Sequence, residues 1–505
     1  MPDTNGVPLP VLTPQDLSLG LTLLSPVLIV VITGILVLLV DLIITDWVSR
    51  RPLMWISSLG LLIGIGACGV LWGGGFLGQT AFGGFLVLDG FALFFQALFL
   101  LAAILVILSA TTFADREELV EAEFYIMVLF STAGLMLMAA GNELMSIYLA
   151  LEVTSLSLAF LAAWNKSDAI AGQGLKSGEA SIKFFLLSAM STAMLLYGMA
   201  LLYGVSGATT LADISRVLTG TPTPAALLSI TMMVGGLGFK IAAAPFQLWT
   251  PDVYQGAATP ATAFFSVGSK AAGFAVILRI FNGALPGISG EWSVLFGVLA
   301  FVTMTFGNLI AIVQTNIKRL MAYSSISHVG YMLIGLAAAN ADGSSAVMFY
   351  LLAYAVTNLG AFIVITIMAS YAPDDEIPGY AGLAQRSPAL AMGLTVALLS
   401  LAGIPPFVGF FAKLYLFLAA IRANSVGLQV LVVWAVIMSG VSLSYYGRVI
   451  HAMWMGDAPE RIEVRPASFS QGLALGASLI GVVAFGIFAQ PFLNAAVAAS
   501  AIFAR

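Results

Sequence analysis

The chain is poor in the residues that carry most enzyme chemistry. Its 505 residues include one cysteine, two histidines and only 9% charged residues. A single thiol, Cys68, excludes a disulfide framework and a cysteine-ligated iron–sulfur cluster within the chain. No run of Lys and Arg could follow a phosphate backbone and the net charge of -5 is small, which argues against nucleic acid as a partner. No glycine fingerprint for a dinucleotide follows a strand, no cluster has metal-ligand spacing, and no residue set could hold a flavin. Any redox chemistry must therefore lie in other chains. The N-terminus also lacks the basic start of a signal peptide, and its first apolar run, from about Leu21 to Ile44, is long enough to stay as a spanning helix.

What the chain has is apolar length. Hydrophobic residues make up 60% of it and the mean hydropathy is +1.03, the composition of an all-α polytopic membrane protein. Apolar runs of roughly 20 residues give about fourteen spans: 22 to 44, 53 to 73, 89 to 112, 124 to 140, 142 to 163, 180 to 204, 226 to 244, 261 to 281, 293 to 314, 320 to 338, 345 to 370, 389 to 419, 428 to 450 and 470 to 492. With fourteen crossings, the odd-to-even connections carry Arg50, Arg51, Arg116, Lys166, Lys176, Lys318, Arg319, Arg386, Arg448, Arg461 and Arg465. The opposite side carries only Arg216, Arg279, Arg422 and Arg505. Positive charge marks the cytoplasmic face, so both termini are expected on the periplasmic side.

Two spans are interrupted by proline, the seventh in KIAAAPFQLWTP (Lys240 to Pro251) and the twelfth in LAGIPPFVGFFAK (Leu401 to Lys413). Broken backbone at membrane depth is tolerated only inside protein or along a hydrated cavity, and paired broken helices point to inverted-repeat ion transporters. A weak internal echo agrees: Phe184-Phe185-Leu186-Leu187 returns as Phe349-Tyr350-Leu351-Leu352, and Thr192 as Thr357.

The remaining four of the nineteen basic residues, Lys183, Lys240, Lys270 and Lys413, lie within apolar spans. A cation there is costly and raises a functional expectation. Glu152, in the middle of the fifth span, also needs compensation, and Lys183 could supply it; the bland alternative is a static ion pair that fixes helix packing. Lys240 and Lys270 have no carboxylate in their own spans. An amine whose ammonium form is disfavoured by burial can load and release a proton. Snorkelling to the interface would explain Lys240 and Lys413 blandly, but Lys270 is midway along its helix. His328 is either a relay or a hydrogen-bonded packing residue. Tyr323, Ser324, Ser325 and Ser327 could line a water path or bond neighbouring helices. Asp41 and Asp46 are explained by an interface, Glu143 by a helix start, and His451 by the surface.

The stretches GLGFKIAAAPFQLWTPDVYQGAATPATAFFSVGSKAAGFA (Gly236 to Ala275) and IKRLMAYSSISHVGYMLIG (Ile317 to Gly335) resemble the antiporter-like membrane subunits of respiratory complex I, the proton-pumping NADH:quinone oxidoreductase. The resemblance covers about residues 120 to 450. The chain ends after the fourteenth span without a long lateral helix, and it has Lys413 and Lys270 where relatives have glutamate and histidine; these features favour the N-type subunit. The resemblance implies two inverted five-helix repeats. It divides the chain into an N-terminal three-helix segment (1–121), a first repeat broken near Pro245 (122–282), a second broken near Pro405 (283–452), and a C-terminal helix (453–505). It further implies a proton relay: Glu152 modulating Lys240, Lys270 as the central amine, Lys413 as the terminal one, and Lys183 as an additional lysine of N-type subunits. This chain would hold no cofactor. NADH, FMN, iron–sulfur clusters and quinone would belong to partner subunits, and its neighbours would be other antiporter-like and small membrane subunits and lipids in a bacterial inner membrane. Subunits of multisubunit sodium/proton antiporters and the B subunit of the ferredoxin-linked plastoquinone oxidoreductase are similar enough to stand as alternatives. A purely architectural subunit is a third reading, which explains four membrane-embedded cations poorly.

Overall fold

A computed structural model describes residues 14–43, 50–117, 119–165, 173–369, 371–372, 374–457 and 467–503. Lys166, Arg461, Arg465, Arg505, Asp46 and the side chain of Arg116 lie outside the described residues. The chain runs α1 (Pro14–Leu23), α2 (Ser25–Ile43), α3 (Arg51–Gly73), a short antiparallel hairpin of β1 (Gln79–Ala81) and β2 (Leu86–Leu88), then α4 (Gly90–Glu117). Next come α5 (Glu121–Ala140), α6 (Leu144–Ala162), α7 (Gln173–Ser206), the short α8 (Leu211–Val217), α9 (Pro224–Ile241) and α10 (Trp249–Gly256). The eighth span, Thr259–Ala284, joins α11 (Thr259–Phe264) and α12 (Lys270–Ile277) through a π-helical turn at Phe265–Ser269. The second half repeats the scheme with α13 (Ser289–Ile312), α14 (Ile317–Ala337), α15 (Ala341–Met368), the one-turn α16 (Leu383–Arg386), α17 (Pro388–Ala402), α18 (Val408–Arg422) and α19 (Val426–Met455). Two helices close the chain, α20 (Phe469–Ile487) and α21 (Ala489–Ser500).

Among the described residues thirteen helices are long and apolar enough to cross a membrane, and α17 and α18, 15 residues each, are the two halves of the proline-interrupted twelfth span. Only helices satisfy their own backbone in hydrocarbon, so a break in one needs local substitutes. Both breaks end their first half on a left-handed residue, Ala242 (φ 62°) after α9 and Gly403 (φ 89°) after α17. Glycine adopts that conformation freely, whereas Ala242 holds it against its Cβ.

The two five-helix repeats share internal fastenings. Glu143 caps α6 by accepting from the Ser146 amide, and Asn316 caps α14 by accepting from the Arg319 amide. Each capping residue also forms a bridge to the connection after the third helix of its repeat, Glu143 with Thr210 and Asn316 with Glu376. Five crossings per repeat put the start of the second on the opposite membrane face from the first, which is what inverts it. Small residues let α13 and α14 approach closely: a methyl on Gly330 would sit 2.5 Å from the Met304 amide nitrogen.

The eighth span is fully buried, and the tenth and eleventh are 94% buried, whereas the sixth and thirteenth are 33% buried. Lys270 and His328 thus lie on the innermost helices. Two residues that were expected among the loop charges are in fact internal. Arg279 is buried, grips both Asp89 carboxylate oxygens at 2.9 and 2.8 Å and donates to the Ala139 carbonyl. Lys318 is buried against Asp375 at 3.0 Å. Such residues escape a hydropathy reading because each sits at a helix end, next to loop sequence, yet faces inward to a carboxylate.

Candidate functional site

The break after α9 leaves carbonyls at the end of a half-helix inside the protein, and neutral groups take them. The Trp249 indole donates to the Phe239 carbonyl at 3.0 Å and Ser269 to the Lys240 carbonyl at 3.3 Å. The Lys240 amine is consequently free to point elsewhere. It is 2% exposed and donates to Ser155 on α6 at 3.0 Å. Glu152, three residues earlier on α6, does not reach it as a direct ion pair but lies about one helical turn from Ser155, its hydrogen-bond partner. Glu152 itself is half-buried beside the exposed apolar residues Leu149 and Val153.

Lys270 follows the π-helical turn on the eighth span and is 1% exposed. Its amine donates to the Tyr254 hydroxyl at 3.1 Å, and that hydroxyl is 3.4 Å from Ser325. Ser325 belongs to α14, as does His328 one turn on. The His328 ring is held between Tyr350 (2.6 Å from Nδ1) and Tyr446 (3.3 Å from Nε2), and Tyr446 reaches Ser324. A small cavity of about 10 Å³ beside His328, Tyr354 and Thr357 extends to Ser400 and Leu401 at the second break, about the least space that holds one water. The hydroxyl of Tyr354, on its wall, has no hydrogen-bond partner among the described residues.

At that second break the arrangement is reversed. Lys413, 5% exposed, folds back from α18 and donates to the Leu401 and Ala402 carbonyls at 3.1 and 2.9 Å and to Ser439 at 2.7 Å. It also stands 4.8 Å from the centre of the Tyr331 ring. The cation thus sits at the negative end of a helix dipole, where it is favoured.

The structure therefore buries Lys270, His328 and Lys413 in one region: Lys270 reaches Ser325 through the Tyr254 hydroxyl, His328 lies one turn further along α14, and the Tyr331 ring, 5.9 Å from the His328 ring, stands between it and Lys413 without a hydrogen-bonded link. Lys240 abuts Lys270 across Ser269 and Gly273 without a hydrogen-bonded link between the two amines. Lys183 was expected to partner Glu152, and here the structure differs. The Lys183 side chain is 42% exposed and pairs with Glu179 at 2.7 Å and Asp252 at 2.9 Å. The helix carrying it begins at Gln173, seven residues earlier than hydropathy suggested, and Lys183 faces α10 instead of α6. Ser324 and Ser325 bond Tyr446 and Tyr254 on neighbouring helices; His451 is exposed, and Arg50 donates to Asp41 at 2.9 Å. Sequence reasoning missed Tyr254, Tyr331, Tyr350, Tyr446, Ser155 and Ser439. The signal was available for the tyrosines, since a buried phenol seeks a partner for its hydroxyl.

The NADH:quinone oxidoreductase/Mrp antiporter transmembrane family model matches residues 140–439. NADH-quinone oxidoreductase subunit N of Trichlorobacter lovleyi is 42% identical over 94% of this chain and 96% of that protein. The subunit N of Heliobacterium modesticaldum is 40% identical over 96% and 100%. Among solved structures, a chain of the respiratory complex I from Thermus thermophilus with bound aureothin superposes with a TM-score of 0.77 at 31% identity, covering 94% of this chain and all of its own. A chain of the Mrp complex from Dietzia has a TM-score of 0.80 at 21% identity, covering 97% of each chain, which shows the shared fold. By sequence over nearly its whole length, and by fold, this chain belongs to the N-type antiporter-like membrane subunits of the NADH:quinone oxidoreductase family.

Proposed function

We propose that this chain moves protons across a bacterial inner membrane as a membrane-arm subunit, coupled to quinone reduction elsewhere in the complex. The observation that carries the reading is the burial of Lys240, Lys270 and Lys413 in the protein interior, with Tyr254, Ser325, His328 and Tyr331 between the last two. In one state Glu152 supports a charged Lys240. When a charge change from a neighbouring subunit weakens that support, the proton passes to Lys270, then by way of the His328 hydroxyl cluster to Lys413 for release. Steps of a few kcal/mol suffice, the scale of charge coupling at protein-like dielectric and of proton work at about 2.3 kcal/mol per 100 mV. The Lys/Arg-rich side faces the cytoplasm and both termini the periplasm. Neighbouring antiporter-like and small membrane subunits and lipids contact its outer faces, while NADH, FMN, iron–sulfur clusters and quinone are held by other subunits.

Lys240→Met should abolish the proton movement assigned to this chain while leaving the complex assembled and oxidising NADH. Proton-to-electron stoichiometry in inside-out vesicles is the measurement; an unchanged ratio in the assembled variant would reject the relay.

A further inference from the structure

One cluster of charges is not used by that relay. Lys183 and Glu179 on α7 and Asp252 on α10 line a cleft of about 170 Å³ with Lys176 and Gln255, and Arg319 on α14 joins the cluster through Asp252. Asp252 is the hub: one oxygen accepts from Lys183 at 2.9 Å and the other from Arg319 at 3.0 Å. The nearby Lys318 is occupied by Asp375. A static surface staple would need no polar groups behind it. Yet the segment between Lys240 and Asp252 carries Gln247 and Thr250, both buried, whose side-chain oxygens have no partner among the described residues. Ser188 on α7 is also buried and unpartnered. Because Ser191 donates to the Gly236 carbonyl and the helices run antiparallel, one turn along places Ser188 level with Lys240.

The repeat supplies the second observation. Asp252 lies ten residues after the left-handed Ala242, and Lys413 lies ten residues after the left-handed Gly403. By the same register Lys240 corresponds to Leu401, whose carbonyl Lys413 holds. The two repeats are inverted, so positions that correspond between them look toward opposite membrane faces. If Lys413 is the last group before release on one side, Asp252 occupies the matching place on the other.

We propose that Asp252, gated by Lys183 and Arg319, is the intake through which Lys240 is loaded with protons from the proposed cytoplasmic side. This deepens the relay reading and rests on it. Lys183 releases Asp252 while remaining paired to Glu179; a proton from solvent forms an O–H bond at the freed Asp252 oxygen. That bond then breaks as the proton passes, through water bonded to Thr250 and Gln247, to the neutral amine of Lys240. Asp252 returns to its carboxylate form and Lys183 closes on it again.

The test uses the whole complex in inside-out vesicles. Asp252→Asn should lose as many protons per NADH as Lys240→Met, whereas Asp252→Glu should keep them with a shifted dependence on external pH. A second readout does not rely on turnover. In a Thr250→Cys background, a membrane-impermeant thiosulfonate added to the outer, cytoplasmic face should label this subunit at least tenfold faster once Lys183→Met opens the gate. Full pumping by Asp252→Asn alongside loss in Lys240→Met would overturn the intake and leave the relay standing. So would labelling that is unchanged by Lys183→Met or that proceeds only from the other face. Normal pumping by Lys240→Met would remove the relay first, and the intake with it.

Discussion

The same side chain is placed in three different electrostatic settings. Lys413 has two carbonyls and a hydroxyl at a helix C-terminus, a site built for a cation. Lys240 has one serine hydroxyl, with Glu152 a turn away on the same helix as that serine, and Lys270 has one tyrosine. A serine hydroxyl can bond either the ammonium or the neutral amine, whereas a nearby carboxylate favours only the ammonium, so the charge of Lys240 should depend more on Glu152 than on Ser155. Glu152→Gln should accordingly reduce the initial rate of acidification in inside-out vesicles far more than Ser155→Ala, and equal losses would contradict this ordering. Tyr254→Phe keeps the packed ring but removes the acceptor for Lys270, leaving a buried donor unsatisfied at a cost of about 1–3 kcal/mol. Pumping should slow roughly tenfold with assembly intact, read by the same acidification assay. The amines were legible in the sequence because a cation in an apolar run is anomalous. Their tyrosine partners were not, because a phenol among aliphatic residues is ordinary until a fold shows what its hydroxyl meets.

At the scale of helices, two spans stop halfway and the carbonyls left at each stop are treated differently. After α9 they are taken by Trp249 and Ser269, which frees the local lysine; after α17 they are taken by Lys413 itself. The prolines announced both breaks, and the apolar runs match the thirteen helices long enough to span among the described residues, with the broken α17–α18 pair in the place of the twelfth. Hydropathy carries no azimuth, however, so it could not show that Lys183 faces α10 and pairs with Asp252 instead of Glu152. The left-handed residues at the two stops make opposite predictions. Ala242 holds φ 62° at a cost of roughly 1–2 kcal/mol, so Ala242→Gly should raise the temperature at which the purified complex loses this subunit. Gly403→Ala adds that cost and also puts a methyl 3.0 Å from the Lys413 Cδ, so it should lower that temperature and impair pumping together. A rise for Gly403→Ala would show that the stop is not set by backbone conformation.

For the molecule as a whole, a buried ion pair adds to the packing that joins the N-terminal helices to the first repeat. Arg279, near the end of the eighth span, holds Asp89, which itself accepts from the Ala92 amide at the start of α4. The same guanidinium caps the end of α5 through the Ala139 carbonyl and stacks 4.7 Å from the centre of the Phe91 ring. Charge counting along the sequence treated Arg279 as a loop residue, so this fastening became visible only when remote segments were brought together. A buried ion pair is weak evidence for net stability, yet removing one partner strands the other charge at about 3–5 kcal/mol. Arg279→Met should therefore release this subunit from the complex on native gels at a lower temperature than wild type, and Asp89→Asn should do so by a smaller margin because the stranded arginine keeps the Ala139 carbonyl. The double variant Asp89→Asn, Arg279→Met has no uncompensated charge and should recover part of the loss. Equal loss in the double variant and in Arg279→Met would mean that the contact matters for its shape and its bond to α5, and that stranded charge is not the cause.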